Sequence, residues 1–250
     1  MSITIHNLSF SYNKKNKILH SVSIKSEEGQ LISLIGPNGS GKTTLIKCIN
    51  RINPVQNGTV LINQVDINEI PRNDLAKQIG YVPQISREVM SGTVIETVLM
   101  GRHPHMHWKP SSEDIDIAFD VLKQLSIVEL ANVNFDSLSG GQKQKVLIAR
   151  ALAQNPQVFL FDEPISFLDI KNQIEVMEMA RSMARNGKTV FVVVHDLNMA
   201  LHYSDKVVLL YKGEVIANGP SQEVLNPPNI KKAYGVNVNI LNESHISLWK

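Results

Sequence analysis

At 250 residues, with 43% hydrophobic and 19% charged side chains, the chain has an ordinary globular composition and is long enough to bury a full core without staples. A formal net charge of +2 gives no electrostatic argument for nucleic acid as the main partner, and a single cysteine excludes an internal disulfide framework. No apolar run approaches the roughly 20 residues of a membrane span, and residues 1–5 alternate like a strand where a secretory signal would be continuously apolar. Any work at a membrane is therefore expected to use spans supplied by another chain.

In chain order, Ile3, Ile5, Leu8 and Phe10 predict a sheet-edge strand with a slip near Asn7. Tyr12 follows, an exposed aromatic that could stack on a nucleotide base or serve as an ordinary surface residue, in a polar stretch whose Lys14, Lys15 and Lys17 suit a solvated loop. Leu31-Ile32-Ser33-Leu34-Ile35 is the short apolar run of a buried parallel strand. It leads into Gly36-Pro37-Asn38-Gly39-Ser40-Gly41-Lys42-Thr43-Thr44, which meets every position of the phosphate-binding pattern G-x-x-x-x-G-K-[ST]. Leu45, Ile46, Cys48 and Ile49 then recur at helical spacing, so the pattern has its strand–turn–helix context. Glycines let successive backbone N–H groups face phosphate oxygens, and the helix start adds its positive dipole end. Lys42 would reach the outer phosphates and Thr43 would ligate Mg²⁺, so this stretch implies binding of a nucleoside triphosphate. Cys48 reads as a small core residue.

Val60-Leu61-Ile62, entered through Asn57-Gly58, predicts a strand; residues 74–78 predict a helix, and Ile79 to Pro83 another strand that ends at Gln84. Gln84 could lend a carbonyl to Mg²⁺ or position a water. Helical spacing then covers residues 94–100 and 115–125, the second introduced by the hydroxyls and acids of Ser111 to Asp114. Between them lies His103-Pro104-His105-Met106-His107-Trp108. Pro104 and the lack of a carboxylate or thiol argue against a metal site, and an exposed partner-contact loop fits better.

Leu138-Ser139-Gly140-Gly141-Gln142 precedes a helix over residues 143–153 and makes a second anion-binding helix start, or simply an N-cap followed by glycines. Val158 to Phe161 predicts a buried strand delivering Asp162 and Glu163, placed to hold a Mg²⁺ shell and to activate an attacking water, or to be solvated turn acids. Ser166-Phe167-Leu168-Asp169 follows, then a helix over 173–185. The run 189–194 is a further buried strand that ends at His195, a candidate for the terminal phosphate or a structural histidine, with Asp196 able to cap the helix starting at Leu197. Residues 207–211 and 214–217 predict a hairpin, Pro220 opens a short helix that Pro227-Pro228 ends, and residues 236–240 alternate as a final edge strand.

Together these stretches resemble the ATP-binding cassette of ABC transporters over essentially the whole chain, with the phosphate loop, Gln84, Leu138 to Gln142, Asp162-Glu163, Ser166 to Asp169 and His195 in the family's order. The resemblance implies an α/β fold: a P-loop NTPase core with an antiparallel β subdomain, a helical signature subdomain over about 84–154 and a C-terminal extension over about 220–250. It also implies a head-to-tail homodimer that sandwiches ATP. Glu163, His195 and Gln84 would then be catalytic, and Tyr12 and Gly36 through Thr44 would bind ATP. Ser139, Gly140, Gly141, Gln142 and Asp169 would reach the nucleotide from the other subunit, and Thr43, Gln84 and Asp162 would hold Mg²⁺. A finer resemblance, to import cassettes for iron–siderophore complexes, haem and cobalamin, rests on Tyr81-Val82-Pro83-Gln84, Gly101-Arg102 with Pro104, His195-Asp196-Leu197-Asn198 and Tyr234-Gly235-Val236. It implies a peripheral subunit at the cytoplasmic face of the membrane, docked on a separate permease and served indirectly by a substrate-binding protein, with no nucleic acid involved. The alternatives are a cassette for another cargo and a soluble ABC-type ATPase. The chain departs from the family at Ile165, usually threonine, and has Lys143 and Lys145 where arginines are common.

Overall fold

The computed structural model describes residues 1–13, 16–56, 58–84, 92–106, 108–166, 168–241 and 245–248; Lys14, Lys15, Asn57, His107 and Phe167 lie outside them. Two compact units emerge, Met1–Ile70 with Met177–Lys250, and Pro71–Val176.

The first unit opens with β1 (Ile3–Asn13) and β2 (Asn16–Lys25), an antiparallel pair whose register shifts between Ile5 and Leu8. The slip falls at Asn7, which takes a left-handed φ of 48°, a conformation asparagine tolerates better than most residues. β3 (Leu31–Ile35) is buried at every position, as a strand covered on both faces must be. The phosphate-loop glycines separate it from α1 (Lys42–Ile49), whose Leu45, Ile46, Cys48 and Ile49 have no exposed surface. Each large apolar side chain buried there stabilises the fold by about 1.5–3 kcal/mol. Burial pushes the Cys48 thiol up to about 12, so it is a core residue and no nucleophile. β4 (Val60–Ile62) and β5 (Val65–Asp66) extend the first pair into a sheet ordered β2-β1-β4-β5.

The second unit begins with α2 (Arg72–Gln78) and β6 (Ile79–Val82). Then come α3 (Val94–Leu99), a 3₁₀ turn over Met100–His105, α4 (Ser112–Gln124) and α5 (Gly140–Gln154). α3, α4 and α5 each start on a reciprocal capping box, from Thr93 with Glu96, Ser111 with Asp114 and Ser139 with Gln142. The stretch expected to be an exposed loop is only partly so. Trp108 is 91% exposed, but Gly101 is buried against the Arg150 carbonyl, which a Cβ would meet at 2.0 Å. Arg102 is also held, donating to Asp114 Oδ1 at 2.9 Å and to the Ala153 carbonyl at 2.8 Å. Pro104 sits inside the 3₁₀ turn, and the Arg102–Asp114 ion pair ties that turn to the start of α4. No group of three His, Cys, Asp or Glu side chains suited to a metal ion occurs among the described residues. β7 (Val158–Phe161) pairs parallel with β6, Val82 opposite Phe161. α6 (Ile170–Arg185) starts three residues before the expected helix, because the Asp169 carboxylate accepts from the Asn172 amide.

The chain then returns to the first unit. β8 (Thr189–Val193) lies parallel beside β3, and α7 (Leu197–Tyr203) is capped by Asp196, as expected. β9 (Lys206–Tyr211) flanks the other side of β3 in parallel, and β10 (Glu214–Pro220) turns back against β9. α8 (Ser221–Val224) follows Pro220. Pro227-Pro228 does more than end it: Pro227 is the first residue of α9 (Pro227–Tyr234), where its missing N–H costs nothing, and Asn226 caps the start through the Asn229 amide. β11 (Val238–Leu241) pairs with β12 (His245–Leu248), a strand that the sequence pattern does not announce. Asn198 of α7 holds that pair through both its amide atoms, bonded to the Ile246 backbone at 3.2 and 2.7 Å.

Candidate active site

In the first unit the phosphate loop leaves the buried end of β3 and is packed tightly at its Gly36 and Gly41 ends. Gly36 has φ 146°, and a Cβ there would meet the Leu210 carbonyl of β9 at 2.1 Å, so only glycine fits. The Ser40 carbonyl accepts from the Gly213 amide at 3.2 Å, and the buried Tyr234 phenol, pushed up to about 12 by burial, lies beside the Gly36 backbone. Pro37, Asn38 and Gly39 form the more open rim, and a Cβ on Gly39 would meet nothing within 4 Å. Gly41, at φ 102°, is the N-cap of α1, and no side chain caps that helix. Lys42 is only 5% exposed and folds back to donate to the Gly36 and Pro37 carbonyls at 2.8 and 3.1 Å. The Ser40 hydroxyl is buried and has no hydrogen-bond partner among the described residues. An uncapped helix start, an orphaned buried hydroxyl and a buried ammonium together fit a polyanion.

Two further residues of this unit stand near that loop. Tyr12 is 60% exposed, packs edge-on against Phe10 at 4.9 Å, and has its hydroxyl 3.4 Å from Thr44 Oγ1 and 3.3 Å from Asn53 Nδ2. Its ring is therefore held in place while more than half of the side chain stays exposed. His195 is exposed just past β8; since Val193 pairs with Leu34 in parallel, His195 and the phosphate loop leave the same sheet edge.

In the second unit Asp162 and Glu163 follow β7, with the Asp162 amide donating to the Val82 carbonyl at 2.9 Å. Asp162 is 1% exposed and accepts from the Tyr81 hydroxyl at 3.3 Å. Glu163 is half-buried and holds a left-handed φ of 55°. Its Oε2 accepts from Gln84 Nε2 at 2.8 Å and from Ser166 Oγ at 3.0 Å. Gln84 is exposed and engages the carboxylate through its amide nitrogen, so that bond does not use its carbonyl oxygen.

The signature stretch forms the start of α5, where Ser139 Oγ accepts from the Gln142 amide at 3.3 Å and Gln142 Oε1 accepts from the Ser139 amide at 3.0 Å. Ser139, Gly140, Gly141 and Gln142 line a cavity of about 680 Å³ that also reaches Asp169 and Lys145. Asn172 holds the Asp169 carboxyl below the usual carboxylate range, through its backbone amide first and its side chain second. The lysines after the signature pack structurally, Lys143 over the Phe135 ring at 5.7 Å and Lys145 paired with Glu175 at 3.4 Å. Ile165 is buried, and its carbonyl accepts from Gln173. An apolar side chain at that position is accommodated in the packing. The sequence pattern assigns no role to Ser166, Tyr81 or Tyr234. Ser166 is within reach of such a reading, since it stands three residues from Glu163 in a turn; Tyr81 and Tyr234 carry part of the import-cassette resemblance, but their partners Asp162 and Gly36 lie far along the chain.

The ABC transporter family model matches residues 19–166. The chain belongs to the ABC transporter family. As an ABC ATPase subunit it binds and hydrolyses ATP on a P-loop NTPase fold. An ABC transporter ATP-binding protein of Methanocaldococcus jannaschii is 44% identical over 97% of this chain and 94% of its own. A phosphonates import ATP-binding protein of Alcaligenes faecalis is 37% identical over 89% of this chain and 84% of its own. An iron(3+)-hydroxamate import ATP-binding protein of Bacillus subtilis is 34% identical over 97% and 91%. Among solved structures, a metal-chelate type ABC transporter in an inward-facing conformation superposes with a TM-score of 0.84 at 29% identity, covering 100% of this cassette and 98% of that chain. No helix among the described residues of the cassette is long and apolar enough to cross a membrane.

Proposed function

We propose that this cassette energises import of a metal chelate, an iron–siderophore complex or haem with cobalamin as a further member of that class, through a separate membrane permease. It works as a homodimer at the cytoplasmic face, and a substrate-binding protein delivers the cargo. The observation that supports the iron–siderophore member of that class is coverage. The iron-hydroxamate relative and the metal-chelate structure match 97% and 100% of the chain, whereas the phosphonate relative matches 89%. Phosphonate import is the second reading, favoured by that relative's 37% identity.

On this reading Lys42 and the loop amides from Gly36 to Thr44 grip the triphosphate, and Tyr12 stacks on the base. Thr43, Gln84 and Asp162 would each offer Mg²⁺ an oxygen donor of the kind it prefers. Mg²⁺, when bound, neutralises charge on the outer phosphate oxygens. Glu163 takes the proton of a water as its oxygen attacks the terminal phosphorus, the bridging P–O bond breaks, and ADP leaves with the electron pair. His195 donates a hydrogen bond to the terminal phosphate. Ser139 through Gln142 and Asp169 of a second copy complete the shell, so residues 84–154 serve as the signature subdomain and 220–250 as a C-terminal extension.

Glu163→Gln is expected to keep ATP binding, trap a dimer and lower turnover by about 10²–10⁴-fold. Turnover within about threefold of wild type would overturn the assignment of the base. The same variant, tagged and purified with ATP from detergent-solubilised membranes, should bring down a multi-span permease. Uptake assays with ferric hydroxamate, haem, cobalamin and a phosphonate then decide the cargo.

A further inference from the structure

Glu163 is held at both its backbone and its carboxylate by one residue. The Ser166 amide donates to the Glu163 carbonyl at 3.4 Å, and the Ser166 hydroxyl donates to Glu163 Oε2 at 3.0 Å. Between them the chain makes a tight turn in which Glu163 takes a left-handed φ of 55°. That conformation is costly for a long side chain and persists only where its surroundings impose it. A glutamate carboxylate ends a chain of three rotatable bonds, and rotamer freedom of that size opposes any single geometry. Gln84, a second described donor to Oε2, comes from beyond β6, 79 residues away, and on the reading above also serves the cation. Ser166, by contrast, is placed by the local turn itself.

We propose that Ser166 is a positioning residue for ATP hydrolysis: its hydroxyl keeps the Glu163 carboxylate aimed at the attacking water whether or not Gln84 stays bonded to it. This rests on the reading of Glu163 as the general base. A base displaced by about an ångström can lose up to roughly 10²-fold in rate, and with Gln84 still bonded the carboxylate stays partly held. The effect of removing the hydroxyl is therefore smaller than that and falls on the chemical step. Ser166 does not reach ATP in this scheme, so nucleotide affinity does not change with it.

The test compares the full chain as wild type, Ser166→Ala, Ser166→Thr and Glu163→Gln. It measures kcat and KM for ATP, single-turnover hydrolysis with enzyme in excess, and thermal melting. Ser166→Ala should lower kcat and the single-turnover rate about tenfold while KM stays within about twofold. Ser166→Thr, which keeps a hydroxyl, should recover most of the loss. A Ser166→Ala enzyme at full rate overturns the proposal, as does a threonine variant no better than alanine. A variant that merely folds badly would show a lowered melting temperature, with losses that threonine does not rescue. If Glu163→Gln itself turns over at near-normal rate, the general-base reading fails. If Glu163→Gln is inactive and Ser166→Ala is not, the positioning role alone fails.

Discussion

Two helices of this cassette start where an anion is expected, and they are built in opposite ways. α1 begins at a left-handed Gly41 with no side-chain cap, beside a buried Ser40 hydroxyl that has no partner among the described residues. α5 caps itself, Ser139 and Gln142 exchanging hydrogen bonds across its first turn. Leaving a helix start uncapped forgoes about 1 kcal/mol, so the phosphate loop holds donors open for a ligand at a standing cost to the fold. At the α5 start the cap already engages the Ser139 and Gln142 amides, so phosphate oxygens reaching those two donors must share them with the cap. The uncapped start therefore suits primary ATP binding, and the capped one suits a ligand delivered by another molecule.

The largest way to break this contrast is Lys42→Ala. Lys42 is the buried charge beside the uncapped start, and its loss should weaken ATP binding about 100-fold, measured by titration with a fluorescent ATP analogue. A loss below about fivefold would mean that the backbone donors carry the affinity alone. At the capped start Ser139→Arg should abolish hydrolysis, by about 10²-fold or more, while ATP affinity of the monomer stays within about twofold. Equal loss of affinity would show instead that the substitution damages the fold.

The smallest functional effect is expected at Asp114, which shares the capped design of α5 but has no ligand to meet. The Ser111 amide, and then Arg102, hold its carboxyl down to about 2, against an ordinary 3.8. Because the folded value is depressed, the stabilisation is complete above about pH 4 and is lost as pH falls towards 2. Asp114→Asn should cost about 2 kcal/mol at neutral pH, remove that part of the acid dependence and leave ATP affinity unchanged, as read by thermal melting across pH.

Much of the molecule is legible in the order of its residues. β3, β4 and β7 fall on the predicted residues, and the slip at Asn7 and the Asp196 cap occur where the pattern places them. The departures cluster where local rules allow two outcomes. A proline pair ends one helix and opens the next with equal ease, and α9 shows the second use. The stretch from Gly101 to Trp108 reads as exposed because its composition is polar and aromatic, but Arg102 finds a buried carboxylate twelve residues on.

What the sequence determined by itself is the set of features whose cause lies within a few residues: the glycines that let the backbone face a phosphate, the apolar runs of buried parallel strands, and the hydroxyl-plus-acid signals that start helices. Only the tertiary structure decided which side chains meet. It joined Gln84 to Glu163 and the Tyr12 hydroxyl to Thr44, and it set Tyr234 beside Gly36. Those pairings join residues far apart in the chain, so they depend on how whole elements pack, and no pattern within one element records them.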